Sequence, residues 1–337
     1  MKTRIQFVIV LSRFAWAARR EHNEGVSPLA SEETSEFSFL DGQARSLSVA
    51  VPSVRRVSLP LADGRTLSAL RYGDDPVEVT LLHGAGLNAH TWDTTVLALG
   101  RPALSIDLAG HGDSSWREDA NYTGRTLAAD VIEALRAWTD RPQVLVGQSL
   151  GGLTAAAVAA RAPELVRDLI VVDITPGVDQ RVGPAALREF YRVVDGASRD
   201  ELVDRAQQFG FGGSRDDTAR GVFLNTRVRP DGRVEWKHHF AHIAAQLLAA
   251  APSDLTGAAP TTTGILGEHG WSDLEATAVP ITLVRASHGF VSEEAEAEFR
   301  SRVPSARVLH LDGSHNLQET APAALADIIR TAVDTRG

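Results

Sequence analysis

Gln143-Val-Leu-Val-Gly-Gln-Ser-Leu-Gly-Gly152 is the stretch on which the reading of the fold turns. Its first four residues form a short apolar run of buried-strand type, and the alanine-rich residues 150–160 read as a helix. The turn between them carries Ser149 flanked by Gly147 and Gly151, a Gly-x-Ser-x-Gly pattern in strand–turn–helix context. So sharp a reversal drives its flanking positions against the neighbouring strand and helix, where side chains would collide. The bare pattern would also suit a tight turn without chemistry. Its placement directly between a strand and a helix points instead to a serine nucleophile.

Outward from this turn the pattern repeats. Residues 54–60 and 67–72, separated by Ala62-Asp-Gly-Arg65, read as an antiparallel hairpin. Val77-Glu-Val-Thr-Leu-Leu82, Ala103-Leu-Ser-Ile106, Leu169-Ile-Val-Val172, Ile281-Thr-Leu-Val284 and Arg307-Val-Leu-His-Leu311 are further buried-strand runs. Helical patterns at 125–138, 150–160, 293–303 and 321–333 fall between most of them. This alternation predicts an α/β fold: a mostly parallel eight-stranded sheet flanked by helices, with the hairpin as an antiparallel edge. From 177 to 279 the rhythm breaks into a mainly helical stretch with no convincing strand and a glycine-rich Phe209-Gly-Phe-Gly-Gly213. It reads as a helical cap inserted between two core segments, 52–176 and 280–337.

The 337 residues carry 34 Lys+Arg against 43 Asp+Glu, a net charge of −9 that argues against nucleic acid or an acidic membrane as partner. A small-molecule ligand fits better, and a homo-oligomer is compatible. The absence of cysteine removes disulfides, thiolate nucleophiles and Cys-ligated metals together. His238-His239-x-x-His242 has helical spacing but no carboxylate at a matching offset, so neither a metal nor a cofactor is expected. Residues 1–18 begin with basic residues and an apolar run, as a secretory signal does, but Arg13 interrupts it and the run falls short of the ~20 residues of a membrane span. Residues 21–51 are polar and lack periodicity. Positions 1–51 are therefore expected to be a flexible extension, and the location cytoplasmic, with secretion as the alternative.

His83-Gly84-Ala85-Gly86 ends the strand run at 77–82. Acyl transfer needs two backbone N–H groups aimed at one developing oxyanion, and a glycine-rich strand end lets the chain approach a substrate closely. Ala85 and Leu150 are the expected donors. The rival reading is an ordinary turn between strand and helix.

With these motifs in place the chain from Pro52 onward resembles the α/β-hydrolase superfamily. Asp107-Leu-Ala-Gly-His-Gly-Asp-Ser114 looks like the loop after that family's fourth strand, and Val228-Arg-Pro-Asp-Gly-Arg-Val-Glu-Trp236 is similar to a segment of its caps. The family's chain order is Ser, Asp or Glu, then His. The resemblance therefore implies that His315, in Leu311-Asp-Gly-Ser-His-Asn316 after the last strand run, is the general base. Most members place the acid after the strand read here at 281–284, but Arg285-Ala-Ser-His-Gly-Phe-Val-Ser292 has no carboxylate at that position. Other members place it after the strand that follows the nucleophile helix, where this chain has Asp173. Asp173 is thus the expected acid, with Glu293 and Asp312 in reserve and a helix-capping role as the bland alternative.

The resemblance implies a serine hydrolase that works through an acyl-enzyme on carboxylic esters of small to medium, largely apolar substrates. Serine at the turn sets aside the members that use a carboxylate nucleophile. Carbon–carbon bond hydrolases are the runner-up, and lactonases, thioesterases and cofactor-free perhydrolases share the same triad. An interfacial lipase or a non-enzymatic ligand-binding protein is less expected. His83, Gly84, Gln148 and Trp236 are the expected substrate contacts. Phe190, Tyr191, Phe209, Phe211, Phe223, Trp236, Phe240 and Trp271 would supply an apolar roof, and Asn88-Ala-His90-Thr-Trp92 either lines the pocket or merely starts a helix.

Overall fold

The computed structural model describes residues 34–177, 189–210, 212–249 and 269–335. The apolar start at 1–18, the arm up to residue 33 and Phe211 lie outside them.

The first described element is not an arm. Helix α1 (Leu40–Leu47) carries Leu40 and Ala44 one turn apart, and both are buried against Leu97. Ahead of it, the Glu36 carboxylate accepts bonds from Arg56 and lies 3.0 Å from His90 Nε2. The packed chain therefore begins before Pro52, a correction to the expected flexible extension. The i, i+4, i+7 spacing of Leu40, Ala44 and Leu47 was the available signal, obscured by the polar residues around it.

Strands β1 (Val54–Pro60) and β2 (Thr66–Tyr72) form the hairpin. β3 (Val79–Leu82) leads through a 3₁₀ turn (Ala89–Trp92) into α2 (Asp93–Leu99). Then follow β4 (Ala103–Asp107), α3 (Gly124–Trp138), β5 (Gln143–Gln148), α4 (Leu150–Arg161) and β6 (Val166–Val172).

The cap comes next: β7 (Asp195–Gly196), α5 (Arg199–Gln208), α6 (Arg215–Asn225), β8 (Thr226–Val228), β9 (Val234–Trp236), α7 (His239–Ala249) and α8 (Gly270–Ala276). The chain returns through β10 (Ile281–His288), α9 (Glu293–Arg302), β11 (Arg307–Ser314), α10 (Leu317–Thr320) and α11 (Pro322–Asp334).

The main sheet runs β1-β2-β4-β3-β5-β6-β10-β11. β1 and β2 are antiparallel to their neighbours, and all pairings from β4 to β11 are parallel. The β4-β3-β5 arrangement reverses the winding direction, so the loops leaving β3 and β5 open at the carboxyl edge where α/β sheets bind ligands. One sheet face packs on residues of α3, α4 and α9, such as Leu127, Val158 and Phe299. The other packs on residues of α2 and α11, such as Val96, Leu325 and Ile329.

Within the cap, expected to lack strands, β7, β9 and β8 form a three-stranded antiparallel sheet. Strands of two or three residues are shorter than any periodicity can register. The turn at Arg229-Pro-Asp-Gly-Arg233, closed by a 2.8 Å bond from the Arg229 N–H to the Arg233 carbonyl, sets the β8–β9 register. Side-chain links fasten the cap to the core. The Arg125 guanidinium grips Asp273, Trp116 Nε1 donates to the Lys237 carbonyl at 2.8 Å, and Asn88 Nδ2 donates to the Leu224 carbonyl and Asn225 Oδ1.

Candidate active site

Ser149 ends β5 and precedes α4, with φ 52° and ψ −119°. A non-glycine residue held there costs about 1–3 kcal/mol, which the surrounding packing must offset. Three backbone bonds fix it: its N–H donates to the Val172 carbonyl at 3.1 Å, and its carbonyl accepts from the Gly152 N–H at 2.8 Å and the Leu153 N–H at 3.2 Å. The flanking glycines are sterically required. A Cβ on Gly147 would stand 2.2 Å from the Gly151 carbonyl oxygen, and one on Gly151 would stand 2.2 Å from that of Leu82.

Asp173 follows β6 directly, and its own φ of 48° turns the chain out of the sheet. The side chain is fully buried. His315 lies between β11 and α10, and its Nδ1 is 2.7 Å from Asp173 Oδ2. The acid also accepts the Phe290 N–H on Oδ2 at 2.7 Å and the Ala286 N–H on Oδ1 at 3.0 Å. The loop that lacks a carboxylate thus donates two amides to the carboxylate of the neighbouring strand. The reserve candidates stand elsewhere: Asp312 is exposed and accepts from the Ser287 hydroxyl, and Glu293 opens α9. Bound to a carboxylate, Nδ1 carries the proton, which leaves Nε2 of His315 as the basic nitrogen.

Gln148 ties the turn to the histidine, since its Nε2 donates to the His315 carbonyl at 3.1 Å and lies 3.4 Å from Asn316 Oδ1. Gly84 packs under it: a Cβ there would lie 2.2 Å from Gln148 Oε1 and 3.3 Å from Ser149 Cβ. Ala85 follows in the same loop. Leu150 is the first residue of α4, so its N–H is one of the four that a helix leaves without an intrahelical partner. The next glycine, Gly86, faces the cap, where a Cβ would meet the Tyr191 hydroxyl at 3.4 Å.

Two expected substrate contacts are placed otherwise. His83 is fully buried, with Nδ1 donating to the Gly84 carbonyl at 2.8 Å and Nε2 accepting from the Leu108 N–H at 3.0 Å. Burial lowers its pKa to about 4, so it is a neutral brace of the loop with no nitrogen left for a ligand. Trp236 is packed inside the cap cluster with Phe190 and Tyr191. Of the expected roof, Phe240 and Trp271 pack on the main core, while Phe223 sits beneath the Arg199 guanidinium and beside Phe39.

The three clustered cap histidines diverge. His238 is buried beside His111 and Tyr191, His239 stacks on Trp116 and pairs with the Tyr122 hydroxyl, and His242 bonds the Trp236 carbonyl. His90, in the segment after the glycine-rich loop, lies between Asp93 Oδ2 and Glu36 Oε2, each 3.0 Å away. Burial opposes its charge, but the Asp93 and Glu36 carboxylates outweigh that and raise its pKa to about 9. The segment is therefore a charged brace, capped by Asn88 Oδ1, which accepts the His90 N–H. Asp107 completes it: Oδ1 accepts the Ala89 N–H at 2.7 Å, and Oδ2 pairs with Arg56.

Known proteins resemble this chain in sequence and fold. Residues 81–328 match the model of the alpha/beta hydrolase family. Esterase Rv0045c of Mycobacterium tuberculosis is 36% identical over 318 residues, covering 89% of this chain and 96% of that protein. A solved structure of that esterase superposes with a TM-score of 0.75 at 34% identity, over 90% of this chain and 100% of that one. A pimeloyl-[acyl-carrier protein] methyl ester esterase of Aeromonas salmonicida is 32% identical over 164 residues, 45% of this chain and 61% of its own. With its motifs, its sheet order and these matches in agreement, the chain belongs to the α/β hydrolase family.

Proposed function

We infer that this protein is a serine hydrolase that cleaves carboxylic esters through an acyl-enzyme. The observation that carries the reading is the Asp173–His315 bond at 2.7 Å, on a histidine whose backbone is tied to the residue preceding the strained Ser149. The similarity to a named esterase, over 89% of this chain and 96% of that protein, supports ester bonds as the target.

In the reaction His315 Nε2 takes the Ser149 hydroxyl proton as the oxygen attacks the acyl carbonyl, giving a tetrahedral oxyanion and an imidazolium. Asp173 holds the tautomer and balances the new positive charge. Because two backbone amides fix the carboxylate, it need not reorganise during the step. The Ala85 and Leu150 N–H groups receive the oxyanion. The imidazolium then protonates the departing alkoxide, and water, deprotonated by the same nitrogen, releases the acid. The Tyr191 hydroxyl over Gly86 narrows the space above the glycine-rich loop, and the cap cluster around it is apolar. Both favour small to medium, largely apolar esters.

Intact mass after exposure to a fluorophosphonate tests the reading, paired with p-nitrophenyl ester hydrolysis. A single adduct is expected on the wild type and none on Ser149→Ala, whose kcat falls by at least about 10³-fold. A folded wild type that takes no adduct and turns over no ester would overturn it.

A further inference from the structure

Phe290 serves the site twice. Its N–H donates to Asp173 Oδ2, the oxygen bound to His315, while its ring lies face to face on the His315 imidazole, with centroids 3.7 Å apart and planes 16° from parallel. It is nonetheless 44% exposed, one of only three exposed large hydrophobics among the described residues. A side chain kept for core packing would be buried, so the observed contact is with the histidine. Nothing in the sequence pattern marked it.

An aromatic face carries negative quadrupole density, and a cation set over it is attracted. His315 becomes such a cation in every proton transfer of the proposed cycle. We propose that Phe290 is a positioning residue for His315, its ring holding the imidazole in plane with Asp173 and favouring the imidazolium that forms as Ser149 attacks. The inference rests on the triad reading above.

Asp173 bonds the imidazole, and further titratable groups lie close in the chain to Phe290 and His315. Asp173 follows β6. His288 ends β10 and Asp312 lies in β11, 3.9 Å apart and solvent-facing, and Glu319 in α10 accepts the Thr91 hydroxyl. Asp173 is bonded directly to the imidazole, and the Phe290 N–H that it accepts is kept in every side-chain variant. A shift in the histidine's titration on changing that side chain therefore reports the ring.

The test is kcat, KM and the pH dependence of kcat/KM on a p-nitrophenyl ester for the wild type, Phe290→Leu and Phe290→Trp. Leucine shields the imidazole from water much as phenylalanine does but offers no π face. For Phe290→Leu, kcat is expected to fall roughly 3- to 10-fold with KM little changed, and the acid-limb pKa to fall by about half a unit. Phe290→Trp should restore kcat and move the acid limb upward. Thermal melts establish that both variants fold; exposure of the residue makes this the expected result. Wild-type kcat and acid limb in Phe290→Leu, or a change in KM alone, would overturn the proposal and make Phe290 a wall of the substrate site. Fluorophosphonate labelling of the wild type separates the two levels. Labelling with an unaltered Phe290→Leu defeats only the role of the ring, whereas no labelling at all defeats the triad reading beneath it.

Discussion

A Cβ at Gly289 would lie 2.1–2.4 Å from the three carboxyl atoms of Asp173, distances that no contact tolerates. Gly289→Ala must therefore displace either the carboxylate or the loop whose Ala286 and Phe290 amides hold it. We expect kcat to fall by about 10²- to 10⁴-fold, approaching Asp173→Asn, in which the amide disfavours the needed imidazole tautomer. The check is steady-state kinetics beside circular dichroism; wild-type kcat in Gly289→Ala would show that the loop yields without disturbing the site, and wild-type kcat in Asp173→Asn would remove Asp173 from the proposed triad. The same neighbourhood separates what the sequence discloses from what it does not. Asp173 could be proposed because the loop at 285–292 lacks an acid. The two amides that replace one are invisible, since every residue but proline carries an identical N–H. His83 shows the converse: its place in a glycine-rich motif suggested a ligand contact, but only its two backbone bonds reveal a brace.

At the scale of elements, α1 provides the sharpest test of where the packed chain begins. Leu40 is 3% exposed, so Leu40→Ala should cost about 2–4 kcal/mol, whereas an equivalent change on a loose arm would stay within about 0.5 kcal/mol. Glu36→Ala removes the acceptor shared by Arg56 and His90 and should cost about 1–3 kcal/mol. Urea midpoints measure both, and limited proteolysis near residues 34–47 should quicken in each variant; unchanged midpoints would return the segment to an unpacked extension. The eight strands of the main sheet were all legible: the central ones, buried on both faces, must be apolar throughout, and the edge strands β1 and β11 keep a half-buried pattern. Helix α1 and the cap strands were not. A two-turn helix holds only two or three core positions, and a two-residue strand holds fewer, so tertiary contacts decide them rather than pattern.

Taken whole, the molecule sets buried histidines of opposite character on two sides of neutral pH. His83, His111 and His238 form a neutral cluster where the core meets the cap, with the His83 and His111 rings 5.0 Å apart and those of His111 and His238 6.2 Å apart. Burial lowers His83 to about 4 and His111 to about 3, and it pushes His238 well down. The unfolded chain takes up these protons near pH 6.5 and the native state does not, so stability declines as the pH falls below 6.5 toward those lower values. His90 has the opposite sign. Raised to about 9 by Asp93 and Glu36 against the cost of burial, it contributes stability that is complete below pH 6.5 and lost as the pH rises through 9. The melting temperature should therefore peak near pH 6 to 7 and fall on both sides. Because His111 is a core residue and His238 a cap residue, the acid-side loss should open the cap first. Hydrogen exchange at pH 5 is expected to rise at residues 108–114 and 236–242 before it rises in β5 and β6. His111→Asn keeps a side-chain N–H for the Ala109 carbonyl that His111 bonds at 3.1 Å, but it cannot titrate. It should make the acid limb shallower, with His83 and His238 supplying the remainder, and leave the alkaline limb alone; an acid limb as steep as that of the wild type would show that His111 contributes none of it.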